Sequence, residues 1–197
     1  HMSCYISSGV DLGCSDGIGG IKSIWVLGAS GATASVTGLT YSGGTAQTGS
    51  TYSSLNSPIT GISGSGVWYN FQLKRNTSSL AQNTTKNFEN GTIFWEQVLT
   101  AVLYKYDQDK RNQLLLLGQN DQTQIIAQDQ NDIFYYLGQV NGMYLSGGSA
   151  ASGTAFGDRN GFELIFTGQE SQPANVIDDD TAAQLTVTLN AGGFGVA

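Results

Sequence analysis

The residues able to do chemistry are few, and they exclude more than they suggest. The one histidine is His1, which together with Met2 reads as an expression scar. Without another histidine, Ser-His-acid and Cys-His nucleophile systems, histidine general bases and histidine-rich zinc sites are ruled out. No Gly-Lys-Ser or Gly-Lys-Thr occurs, so there is no P-loop. Gly17-Ile18-Gly19-Gly20 and Gly61-Ile62-Ser63-Gly64-Ser65-Gly66 do not match a dinucleotide fingerprint. Cys4 and Cys14 read as two thiols of a reduced protein, with one disulfide closing a small loop as the alternative. Two cysteines without a native histidine make a poor metal site.

Carboxylates remain. Asp129 with Asp132, Asp158, and the run Asp178-Asp179-Asp180 offer oxygen ligands for calcium, but no series has EF-hand spacing. A carboxylate pair could also hydrolyse glycosides if a fold set the two about 5–10 Å apart. These acids read more simply as exposed turn residues. The tyrosines and tryptophans could stack on sugars or fill an interface, and are read first as core. Three formal glycosylation acceptors begin at Asn76, Asn83 and Asn90, as chance provides in a chain so rich in Asn, Ser and Thr. No metal and no cofactor is expected.

The 197 residues fit one domain spanning 3–197, with 40% hydrophobic residues and 10% aromatics; a chain this long buries roughly 70% of its unfolded surface. Only 12% of residues are charged and 27 are glycine. No run approaches the roughly 20 apolar residues of a membrane helix, and none reads as a secretory signal. The net charge of −7 disfavours binding to a nucleic-acid backbone. Its distribution is uneven. Residues 17–88 hold Lys22, Lys74, Arg75 and Lys86 and no acid; from Glu89 onward thirteen acids face four bases. That asymmetry suits a head-to-tail interface between the basic half of one subunit and the acidic half of the next. Lys74, Arg75, Tyr41, Tyr52, Asp178, Asp179 and Asp180 are its candidate residues.

The elements are mainly β. Ile21–Leu27 is apolar on both faces, which predicts a strand covered twice. Gly28–Gly66 is a Gly/Ser/Thr-rich, uncharged stretch, too long for a plain loop; it reads as a long hairpin or an arm that orders against a neighbouring subunit, with a weak strand over Ala34–Tyr41. On that reading, its deletion would leave a folded monomer unable to assemble. Val67–Lys74 alternates, with Val67, Tyr69, Phe71 and Leu73 on the apolar face. Thr92–Tyr106 favours one long strand. Asp107–Leu117 is the helix candidate, with Asp107 as N-cap, Gly118 at the C′ position, and leucines that should pack on a sheet. Thr123–Gly168 predicts a meander: Thr123–Gln128, a turn at Asp129–Asp132, Ile133–Gln139, a hairpin turn at Asn141-Gly142, Met143–Leu145, and Phe162–Thr167 launched by Asn160-Gly161. Gln184–Asn190 alternates as a final strand before a flexible tail over 191–197. The expected fold is an antiparallel β-sandwich or partly closed barrel with one short flanking α-helix and the long arm.

Two segments carry a resemblance: Cys14-Ser15-Asp16-Gly17-Ile18-Gly19-Gly20-Ile21 before a strand, and Gly157-Asp158-Arg159-Asn160-Gly161-Phe162-Glu163-Leu164-Ile165-Phe166-Thr167-Gly168-Gln169-Glu170, with Pro173-Ala174 after it. In them the chain resembles structural proteins of tailed bacteriophages of Bacteroidota, crAss-like phages among them, of the tail-tube or tail-ring kind. The resemblance runs from Cys14 to about Asp180 and brings no catalytic residue. It implies a non-enzymatic virion protein, assembled in the bacterial cytoplasm. Its subunits would form rings with one another and with other tail proteins around a conduit for DNA. An acidic lumen would repel phosphates and let DNA slide. Two other expectations compete: a monomeric or trimeric carbohydrate- or receptor-binding β-sandwich of adhesin or head-fibre type, and a carboxylate hydrolase.

Overall fold

Residues 9–10, 17–28, 35–41, 46–47 and 58–178 are described by the computed structural model. In chain order the elements are β1 (Ile21–Gly28), β2 (Ser35–Tyr41), β3 (Ala46–Gln47), β4 (Ile59–Ser65), β5 (Val67–Gln72), β6 (Ser79–Asn87) and β7 (Thr92–Tyr104). Then come α1 (Gln108–Gln119), β8 (Ile125–Asp129), β9 (Phe134–Leu137), β10 (Tyr144–Ala151), β11 (Gly161–Glu170) and β12 (Asn175–Ile177). They form one eight-stranded sheet, ordered β3-β2-β4-β12-β9-β8-β1-β5, and one four-stranded sheet, ordered β10-β11-β7-β6. All pairs are antiparallel except β12 with β4. Among the described residues the two sheets are not closed into a barrel, and the architecture is that of a β-sandwich.

The doubly apolar β1 explains the layering. Ile24 and Val26 point toward the small sheet, where Leu99, Ala101, Leu103, Leu164 and Phe166 meet them. Trp25 and Leu27 point the other way, into a second cluster with Trp68, Ile126, Phe134 and Tyr136. The large sheet therefore carries apolar side chains on both faces, and its interior strands read as continuous apolar runs, not as alternation. Aromatic contacts bind the second cluster across strands: Trp25 lies 5.7 Å from Phe134 and Trp68 6.3 Å from Tyr136, edge-on.

Several sequence expectations change in detail. The stretch 28–66 contributes β2 and β4, paired from Ser35–Ser65 to Tyr41–Ile59, to the large sheet. Leu39, Tyr41, Ile59 and Ile62 are core residues, so the described part is a long hairpin of the body, and its deletion would open the core. Val67–Lys74 buries Trp68 while Tyr69 stays half exposed, reversing the expected face at its start; the strand lies at the sheet edge, where Trp68 alone reaches the aromatic cluster. β7 stops at Tyr104 because Lys105 takes φ 68°, and Tyr106 leaves the strand to stack on Phe162 at 4.7 Å. α1 runs through Gly118 to Gln119 and is capped by Asn120, whose N–H reaches the Leu117 carbonyl. Asp107 is the N-cap, as expected, accepting from the Lys110 N–H at 2.9 Å. Of the leucines, Leu114 and Leu117 pack on the core, while Leu115 and Leu116 face solvent.

The meander is split between the sheets. β8–β9 and β10–β11 are hairpins of different layers, and Asn141-Gly142 carries the chain across instead of closing a hairpin. The crossing is tight. At Gly138 φ is 68°, and a Cβ there would lie 2.8 Å from the backbone of Gly142 and Met143. At Gly91, in the β6–β7 turn, φ is 64° and a Cβ would meet nothing. Gly138→Ala is therefore expected to cost about 2–4 kcal/mol, combining αL strain with backbone overlap. Gly91→Ala should cost only about 1 kcal/mol. Urea denaturation of the two variants measures the difference, and equal losses would refute the close approach.

Candidate functional site

The densest group of polar side chains surrounds the sheet crossing. β7 and β11 alternate apolar residues toward the core, and in each the alternation ends in a polar residue on the same inward face: Gln97 and Glu170, exposed by only 1% and 2%. Gln97 Oε1 accepts the Gly138 N–H at 3.0 Å. Glu170 Oε1 accepts the N–H groups of Val140 and Asn141 at 3.1 and 2.8 Å. Asn141 Nδ2 returns a hydrogen bond to the Gln169 carbonyl at 2.8 Å. The small sheet thus supplies acceptors for backbone donors that the crossing removes from any ladder.

The network continues onto the far face of the large sheet. Tyr136 donates to Gln124 Oε1 at 2.8 Å. Gln139 Nε2 donates to the Tyr41 hydroxyl at 2.7 Å, and Asn175 Nδ2 to Gln139 Oε1 at 2.7 Å. Burial pushes the Tyr136 phenol far above the ordinary tyrosine range, with the Tyr41 and Glu170 charges adding to the effect. Burial also raises Tyr41, and the hydrogen bond from Gln139 partly offsets it.

A second polar group sits at the β8–β9 turn. Asp129 is 8% exposed, not the surface turn residue expected. Its Oδ1 accepts from the N–H groups of Asn131 and Ile133 at 2.8 and 2.9 Å, and Oδ2 from Asn131 Nδ2 at 3.2 Å. Tyr135, whose phenol is raised first by burial and then by this carboxylate, donates to it at 3.4 Å. Asn131 pins the incoming chain by bonding both Ile18 N–H and Ile18 carbonyl at 2.8 Å. A cleft of about 300 Å³ opens beside this turn, lined by Asp129, Tyr135, Gln82 and Ile18–Ile21. Asp129 has both oxygens engaged by the backbone and its neighbours, which leaves it unsuited to act as base or metal ligand. Asp158 likewise folds its own turn, accepting the N–H groups of Thr154 and Ala155, which hold its carboxyl below the usual range.

The residues singled out for an interface are dispersed. Lys74 is exposed, with its ammonium 4.5 Å over the Tyr104 ring, and Arg75 is exposed in the turn between β5 and β6. Tyr41 is in the core. Asp178 is half-buried, its N–H bonded to the Ile59 carbonyl at 2.9 Å, at the end of a strand four places from β5 in the sheet. Tyr52, Asp179 and Asp180 lie outside the described residues, as do Cys4 and Cys14. Of the basic half, Lys22 is paired within the chain, 2.8 Å from Asp132. Among the described residues no three of His, Cys, Asp and Glu come together as metal ligands, and no helix is long and apolar enough to cross a membrane. Gln97 and Glu170 escaped the sequence reading, although a polar residue on an apolar stripe was the visible signal.

No family model, curated protein or solved structure matches the chain.

Glu170→Ala would leave the part-buried N–H groups of Val140 and Asn141 without their charged acceptor and is expected to cost about 1–3 kcal/mol. Glu170→Gln keeps an oxygen in place and should cost less than half as much; chemical denaturation checks the order. The tyrosines give a pH prediction. Tyr41, Tyr135 and Tyr136 hold their protons more tightly folded than unfolded, so their contribution is complete below the ordinary phenol range, about 10. It declines as pH rises past that value. Ultraviolet absorbance titration should show these phenols ionising late, in step with unfolding.

Proposed function

We propose that this chain is a non-enzymatic structural subunit that joins copies of itself into a ring or tube, part of the DNA conduit in the tail of a bacteriophage virion. The observation that carries the reading is the division of polar capacity in the molecule. Inside, the buried side chains of Asp129, Gln97 and Glu170 are engaged by backbone N–H groups. Outside, the free bonding capacity lies along strand edges and at apolar tips. β5, β6 and β10 are edge strands among the described residues. The β6–β7 hairpin projects with every residue from Asn83 to Ile93 exposed, Phe88 by 84%, and Phe156 is fully exposed in the β10–β11 turn. Open edges and exposed apolar tips favour association with further copies.

The resemblance of Cys14–Ile21 and Gly157–Glu170 to tail proteins supplies the setting, and the charge supports it. A net charge of −7 disfavours holding the DNA backbone, which suits a conduit for sliding DNA. Lys74 and Arg75 extend from the β5 edge, where acids of a neighbouring copy would meet them.

Light scattering with negative-stain imaging over a protein concentration series tests the reading. Rings, tubes or a concentration-dependent oligomer are expected, and Lys74→Glu with Arg75→Glu should weaken association about tenfold or more. A strict monomer at every concentration would overturn it, and would direct attention to glycan binding.

A further inference from the structure

We infer that the free edge of β10, with the groove beside α1, receives an extended carboxylate-bearing strand from a second copy of this chain. The inference rests on the assembly reading above and assigns it a surface. β10 ends the four-stranded sheet and pairs only with β11 among the described residues. Six of its eight residues are exposed. Its sequence, Tyr144–Ala151 (YLSGGSAA), contains no charge and no proline, two of the devices that natural sheets place on an edge to prevent pairing; a third, a register shift, is confined to Leu145–Gly147 and leaves Gly147–Ala151 regular. The other small-sheet edge, β6, carries Lys86 and is otherwise almost wholly polar. β5 is uncharged too, but is shorter and runs directly into Lys74 and Arg75.

Alongside β10 runs a groove of about 430 Å³ between the strand and α1. Leu114, Leu145, Phe162 and Leu164 give it an apolar lining, and Arg111 and Leu115 form its helical side. Gly147, Gly148, Ser149 and Ala150 present little side chain, so an incoming backbone can approach closely. A strand added here would satisfy the free N–H and carbonyl groups of the edge, and every second side chain would enter the groove.

Charge selects the occupant. The groove holds two charged residues, and Glu163 is already paired with Arg159 at 2.7 Å. Arg111 has no carboxylate within ion-pair distance among the described residues; its guanidinium reaches only the neighbouring Asn112 side chain, at 3.3 Å. The chain itself carries fifteen acids against eight bases, so a second copy brings the carboxylate that Arg111 lacks. A donor strand other than β10 makes the contact heterologous, so that it propagates into a ring or a filament.

Hydrogen exchange and sedimentation of the full chain test the inference together. On association, backbone amides within Gly147–Ala151 should exchange more slowly than in dilute monomer. Arg111→Glu combined with Leu115→Asp changes two exposed side chains and should keep the fold, verified by circular dichroism. It should raise the concentration at which half the protein is associated about tenfold or more. Wild-type assemblies whose β10 amides exchange as in the monomer, or a variant that associates as the wild type does, would overturn the assignment and leave the assembly reading standing. A wild-type chain that never associates would overturn both.

Discussion

The passage of the chain from one sheet to the other between β9 and β10 places backbone donors where no strand can pair with them. A buried N–H without an acceptor costs about as much as a lost hydrogen bond and the desolvation behind it. A buried donor at Gly138 and part-buried ones at Val140 and Asn141 are met by two side chains projecting from β7 and β11. The rest of the sandwich depends on this arrangement, because it fixes the small sheet against the large one at one end of the core. Met143 then enters the core fully buried, and its backbone closes a short antiparallel bridge to Thr123. The bonds are directional where apolar contact is not, so they set the relative position of the layers while the aliphatic core supplies the adhesion.

The large sheet needs more than this one attachment, since both of its faces are apolar. One face is covered by the small sheet and by Leu114 and Leu117 of α1. The other gathers the aromatic cluster around Trp25, Trp68, Phe134 and Tyr136. Polar side chains again fix local geometry at the rim: Asp129 folds the β8–β9 turn, and Asn131 ties that turn to Ile18 across most of the sequence. Such groups are easily mistaken for chemistry in a sequence. Among the described residues the two buried carboxylates, Asp129 and Glu170, accept from backbone N–H groups, which is a structural use.

On the assembly reading proposed above, the molecule meets further copies through its edges. β-sandwiches leave open strands at the rims of both sheets, and evolution ordinarily blunts them with charge, proline or bulges. The β10 strand has a register shift near Leu145 but neither of the other protections. A subunit that pairs in a ring or tube, as proposed above, has reason to leave such an edge open.

Much of the fold was legible in the residue pattern. The two-residue period of Thr92–Tyr106 and of Phe162–Thr167 determined long strands with defined inner faces. The doubly apolar Ile21–Leu27 required a strand covered on both sides, and Asp107 marked where a helix begins. These are local consequences of propensity and alternation. What the pattern left open were relations between distant segments. Periodicity states that a strand has two faces, but not which sheet it joins, so the run from Thr123 to Gly168 read as one meander although its two hairpins belong to different layers. It could not show that Tyr41 enters the core, or that Trp68 and not Tyr69 is the buried ring of β5, because burial there depends on which strands curve toward the same cluster. Nor could it give Gln97 and Glu170 their role. A polar residue on an apolar stripe is visible in the sequence, but the backbone donors that make it necessary lie 41 and about 30 residues away and come within reach only when the sheets pack.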